Sequence, residues 1–160
     1  MDETGKSIKQ EQSTESRSFQ SEETEAVVEV LKTMDYVNRI TTKTMEQYGV
    51  TSYQYNVLRI LKGAGPKGLP TLELADRMVV HSPGVTRMID RMGKKDLVTR
   101  KRSESDRRVV NCLITQKGLD LLKRMKNPVL KMNKRIVQNL DKDQLNTLVN
   151  LLNQMRSNTS

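Results

Sequence analysis

Ser82-Pro83-Gly84-Val85-Thr86-Arg87-Met88-Ile89-Asp90-Arg91-Met92 begins with a helix-start signal and continues with a helical period. A serine hydroxyl satisfies a free N–H of a first turn and proline loses nothing at the first helical position, so Ser82 is read as the N-cap and Pro83 as the first residue. Val85, Met88, Ile89 and Met92 recur at three- and four-residue steps, which gathers them on one buried face. Gly84, Thr86, Arg87, Asp90 and Arg91 are left on the other. A helix with a slim tip and exposed Thr and Arg meets the needs of groove reading, where a narrow element enters and polar side chains reach base edges. A charged helix face alone is more often merely solvated, so the neighbours decide.

Upstream, Leu72, Ala75 and Met78 mark a short helix begun at Thr71, and Val79-Val80-His81 leaves room only for a turn. Before it, Thr51 with Gln54 forms a capping box, with Val50 and Tyr55 as a hydrophobic staple. Tyr53, Val57, Ile60 and Leu61 then line one face of a helix running from Thr51 to about Lys62, with Gly63 placed as its stop. The loop Gly63-Ala64-Gly65-Pro66-Lys67-Gly68 spells G-x-G-x-x-G, with Asp90 downstream. A dinucleotide site needs a strand before that motif, because the pyrophosphate sits on the helix that opens under its last glycine. A helix precedes it here, so the stretch is a turn and no nucleotide cofactor is expected.

Downstream the period changes. Residues 97–102 and 109–114 are rich in β-branched side chains and flank the charged Ser103-Glu104-Ser105-Asp106-Arg107-Arg108, which predicts a β-hairpin with a charged tip. Beyond it Leu122, Met125, Val129, Met132 and Ile136 step as a helix with Pro128 as a kink or restart, and Asp141 with Gln144 opens a last helix whose seam is Leu145, Leu148, Leu152 and Met155. At the other end Val27, Val30, Met34, Val37, Thr41, Thr44 and Tyr48 form the seam of a long first helix. The expected fold is mainly α with a small β-hairpin wing: a winged helix–turn–helix over residues 51–115, flanked by dimerisation helices over 26–50 and 116–157. Residues 1–25 carry seven acids against three bases and little that is apolar, and are read as a disordered acidic tail.

The chain has 160 residues, a net charge of +9 and an isoelectric point of about 9.8, which suits nucleic acid or an anionic membrane. Residues 84–108 concentrate nine bases against four acids. No apolar run approaches the ~20 residues of a membrane span and the start is too acidic for a secretory signal, so a cytoplasmic protein is expected. A single cysteine and a single histidine give neither a disulfide nor a zinc cluster, and Cys112 is read as a small buried hydrophobe. Nucleophile elbow, Walker loop and histidine–glutamate metal motif are all missing, so the chain is not read as an enzyme. The candidate DNA contacts are Ser82, Gly84, Thr86, Arg87, Arg91, Arg100, Arg102, Arg107 and Arg108. Met34, Tyr36, Tyr53 and Tyr55 are candidates for lining an effector cleft. The alternative from another class is an architectural DNA-binding protein or a membrane-surface binder that uses the basic middle without reading sequence.

Leu74-Ala75-Asp76-Arg77-Met78, the run from Ser82 to Met92, Leu97-Val98, Ser105-Asp106-Arg107-Arg108 and Leu113-Ile114-Thr115-Gln116-Lys117-Gly118 together resemble, in order and spacing, the multiple-antibiotic-resistance-regulator (MarR) family over about residues 26–156. The resemblance implies a homodimer with interlocked terminal helices, and two winged modules on a pseudo-palindromic operator. It also implies repression as the commoner mode, and a small anionic or phenolic effector. It further implies that Arg108 enters the minor groove while Asp106 braces the wing. Three positions depart from the family pattern. Val79 and Asp96 stand where glycine is usual, and the cysteine that peroxide-sensing members carry near the first helix is missing. Asp96 enters the left-handed conformation better than most residues, which makes it tolerable there.

Overall fold

The computed structural model describes residues 21–78, 84–102 and 109–157. The chain divides into two units, Met1–Asp35 and Tyr36–Ser160. Helix α1 spans Glu22–Glu46, so residues 22–25, expected in the acidic tail, form its first turn instead. The physical reason is local: Glu22, Glu23 and Glu25 sit at the positive end of the helix dipole, and the Ser21 hydroxyl accepts the Thr24 N–H at 3.3 Å. In the first unit Val27, Val30, Leu31 and Met34 are exposed.

In the second unit α2 (Ser52–Ala64) begins with the expected capping box: the Thr51 hydroxyl accepts the Gln54 N–H at 3.2 Å, and the Gln54 side chain accepts the Thr51 N–H at 3.1 Å. Its buried face is Gln54, Val57, Leu58 and Leu61, one step round from the face expected. Tyr53 is therefore exposed and Leu58 takes its place in the core. The helix also runs through Gly63 and is capped by Gly65, whose φ of +72° lies in the left-handed region that Gly63, still helical, does not adopt. Helix α3 (Thr71–Asp76) buries Leu74 and points Leu72 outward at 77 % exposure, again a phase error of the periodic reading.

Between these helices lies a strand that no local pattern announced, β1 (Leu69–Pro70). It pairs antiparallel with β3 (Val110–Ile114), which also pairs with β2 (Val98–Arg102), giving the order β1-β3-β2. The register sets Leu69 opposite Cys112, Val98 opposite Ile114, Arg100 opposite Cys112 and Arg102 opposite Val110. The hairpin is thus as expected, to within a residue at each strand end, and a glycine at 68 is what lets β1 approach it. A Cβ at position 68 would lie 2.2 Å from the Cys112 carbonyl oxygen.

Helix α4 (Val85–Lys94) starts two residues later than expected, with Gly84 as N-cap at φ +87°. Ser82 and Pro83, and with them Val79 and His81, lie outside the described residues. After α4 the chain reverses through Asp96 at φ +58°, the one non-glycine residue with positive φ among the described residues. Helix α5 (Gln116–Ile136) runs through Pro128 without a restart. Its N-cap Thr115 has two roles: its hydroxyl accepts the Gly118 N–H at 3.1 Å and donates to the Asp96 carbonyl at 2.7 Å. Gly118 itself fits where a Cβ would lie 2.5 Å from the Leu97 carbonyl oxygen, so the Thr115–Gly118 segment seats α5 against the base of the hairpin. Asp141 and Gln144 exchange the reciprocal bonds of a second capping box, at 2.9 and 3.0 Å, before α6 (Lys142–Ser157). The core draws Met45, Val57, Leu58, Leu61, Leu74, Ile89, Met92, Cys112 and Met125 from α1 through α5, whereas α6 buries none of its residues.

Candidate nucleic-acid interface

Helix α4 is fixed from beneath. Val85, Met88, Ile89 and Met92 are all buried, the last two almost completely, so the direction of every outward side chain is set by the core. Thr86, Arg87, Asp90 and Arg91 are exposed on the opposite face, as the sequence reading placed them. The Arg91 Nε donates to the Arg87 carbonyl at 3.3 Å, which draws the two arginines into one row. At the helix end the Lys95 Nζ donates to the Gly49 carbonyl at 2.7 Å, a tie between α4 and the turn that follows α1.

Strand β2 adds Lys101 and Arg102 as exposed bases, so residues 84–102 carry seven bases against two acids. Arg100 behaves differently. Its Nη1 donates to the Asp90 Oδ1 at 2.6 Å, joining the strand to the outward face of α4. That hydrogen bond, helped by the charge of Asp90, holds the guanidinium above its ordinary pKa against an opposing effect of burial. Both side chains stay well exposed, at 38 % and 47 %, so the pair contributes at most about 1 kcal/mol to folding. A cleft of about 450 Å³ opens beside it between α4 and β2, lined in part by Ile89, Gly93, Val98 and Arg100.

Of the other sequence-chosen residues, Ser82, Asp106, Arg107 and Arg108 lie outside the described residues. The four effector candidates do not share one environment. Met34, Tyr36 and Tyr53 are exposed, whereas Tyr55 packs against the core. Tyr53 and Tyr55 are two residues apart on α2 and so project to different sides of it. What the sequence reading missed is the role of Asp90. An acid in the middle of a basic outward face is a signal that a cation faces it, and Arg100 is that cation.

The protein-family model described as the MarR family matches residues 50–110, from the turn before α2 to the start of β3. A MarR transcription factor from Planctomyces limnophilus, known as a crystal structure, is 36 % identical, with 86 % of this chain and 99 % of that one covered and a TM-score of 0.66. The chain belongs to the MarR family. The HTH-type transcriptional repressor MdtR of Bacillus subtilis (strain 168) is 41 % identical to this MarR-family chain over 76 residues, 48 % of either protein. The chain spans about half the length of such curated relatives. A mutant MarR from E. coli complexed with operator DNA shares the fold at a TM-score of 0.74 and 22 % identity, covering 82 % of this chain and 94 % of that one. Among the described residues no helix is long and apolar enough to cross a membrane.

Proposed function

We propose that this MarR-family chain is a sequence-specific DNA-binding transcription regulator, acting as a repressor and as a homodimer on a pseudo-palindromic operator. The observation that carries the reading is α4, whose inner face is locked in the core while Thr86, Arg87 and Arg91 stand outward beside the bases of β2. Such a helix can enter the major groove without losing its direction, and the flanking bases supply the sequence-independent attraction to phosphate. The operator complex of the E. coli relative and the repressor name of the Bacillus relative support DNA and repression as the partner and the outcome. Arg107 and Arg108 extend the contact to the adjacent minor groove, with Asp106 bracing the wing. A second copy of the chain covers the apolar side chains that α6 leaves exposed, among them Leu148, Val149, Leu151 and Met155. A small anionic or phenolic molecule releases the operator.

Selection of bound DNA from a random pool tests this. A recovered inverted repeat with half-sites one helical turn apart is expected. Arg87→Ala should then relax base preference at one position of each half-site, by about 1–3 kcal/mol if the contact is bidentate. Uniform coating of unrelated DNA would instead mark an architectural protein, and a preference for anionic vesicles over DNA a membrane-surface binder.

A further inference from the structure

Four side chains from four elements meet where the wing joins the helix–turn–helix. Asp90 of α4 accepts from Arg100 of β2 at 2.6 Å. Arg100 sits directly opposite Cys112 of β3, so the two side chains leave the sheet on the same face. The fully buried Cys112 Sγ lies 3.4 Å from the Thr71 Oγ1 at the start of α3, in a hydrogen bond that either can donate. The chain of contacts therefore runs from the recognition helix through both wing strands to the first helix of the helix–turn–helix.

We propose that Asp90, Arg100, Cys112 and Thr71 form a positioning relay that holds the wing at a fixed angle to α4, with Arg100 aligning the DNA-binding elements rather than contacting DNA. This rests on the DNA-binding reading above. Two features of the site favour it. The Arg100 guanidinium is already committed to the Asp90 carboxylate and stands across the strand pair from Cys112. Asp90 also lies on the outward face of α4, among Arg87, Arg91 and Lys94, where an unpaired carboxylate would repel the phosphates those bases attract. Arg100 neutralises that charge and ties down the strand in one contact. The energy of an exposed pair is too small to matter for folding, but two DNA-contacting modules on one rigid frame lose affinity together when the frame loosens.

The proposal makes a prediction whose sign differs from that of simple electrostatics. Asp90→Asn removes a negative charge from a DNA-facing surface, so electrostatics alone would strengthen binding. The relay predicts weaker binding, by about three- to tenfold for Asp90→Asn, for Arg100→Gln and for the double variant alike, because each breaks the same link. Titrations of the full-length chain against its selected operator over a range of salt supply the second test. A phosphate anchor lost at Arg100 would lower the log–log salt slope by about 0.9, whereas a lost positioning residue leaves the slope unchanged. A third readout needs no DNA. Cys112 is the single cysteine of the chain, so its rate of reaction with a disulfide reagent reports opening at the relay. The rate should rise several-fold in both single variants while the thermal midpoint stays near that of the wild type. Tighter binding by Asp90→Asn, a reduced salt slope in Arg100→Gln, or unchanged thiol reactivity in both would each overturn the proposal. If the wild-type chain selects no DNA, the DNA-binding reading fails, and the thiol rates still decide whether the relay exists.

Discussion

Gly68→Ala should be among the most damaging single-methyl changes in this protein. Gly68 has φ +65° and ψ −161°, a region essentially closed to side-chain-bearing residues, and holding alanine there costs about 1–3 kcal/mol. The new Cβ would also stand 2.2 Å from the Cys112 carbonyl oxygen and 2.8 Å from the Leu113 Cγ. The first of these is backbone held by the β1–β3 pairing, so it cannot swing aside, and the sheet must part at a cost of about 1–3 kcal/mol. Together these give a loss of about 2–6 kcal/mol, a large fraction of the roughly 5–15 kcal/mol that keeps a domain of ordinary stability folded. Gly63→Ala is the companion experiment. Gly63 is helical and a methyl added there would meet nothing within 4 Å, so alanine should stabilise by about 0.5–1 kcal/mol. Urea unfolding of both variants, followed by helical circular dichroism at one fixed protomer concentration, measures the difference free of mass-action effects. A Gly68→Ala protein within about 0.5 kcal/mol of wild type would refute the reasoning, because so small a change is what an unremarkable surface substitution produces.

Asp96→Gly should stabilise the fold by about 0.5–1 kcal/mol, since glycine takes the +58° φ without strain; a loss of stability in the same unfolding assay would show that the aspartate side chain contributes more than its backbone costs. Thr115→Ala should cost about 1–2 kcal/mol because it removes the cap of α5 and leaves the Asp96 carbonyl without its donor, whereas Thr115→Ser should keep both bonds and most of the stability. The raised pKa of Arg100 sets a pH expectation as well: a group whose folded pKa lies above its unfolded value gives its full contribution below the unfolded one and loses it only as pH rises through the folded one. For an arginine that window is far above neutrality, so the affinity ratio of wild type to Arg100→Gln should be the same at about pH 6 and pH 9, and a ratio that collapses by about pH 9 would point to a different titrating group.

The helices that were legible in the sequence are those whose signal is carried by residues three and four apart. Thr51 with Gln54 and Asp141 with Gln144 state their own helix starts, and Val85, Met88, Ile89 and Met92 fall on one face of α4 whichever turn comes first. Where the pattern was degenerate, the phase was lost. Tyr53, Val57, Ile60 and Leu61 describe a face of α2 almost as well as Gln54, Val57, Leu58 and Leu61, and only packing against the rest of the core chooses the second set. Likewise Gly63 and Gly65 both offer a helix stop, and the choice depends on where the chain must turn to bring Leu69 beside Cys112. The site shows the same division. The outward row of Thr86, Arg87 and Arg91 follows from the helical period, but Arg100 looked like one more base in a basic stretch. Its role depends on a hairpin that folds back to set β2 beside α4, a contact between residues ten apart that no short-range pattern encodes. Asp90 was the residue to question. A carboxylate among cations on an exposed helix face can take a partner from its own helix or from the strand that follows, and here Arg100 of β2 is that partner.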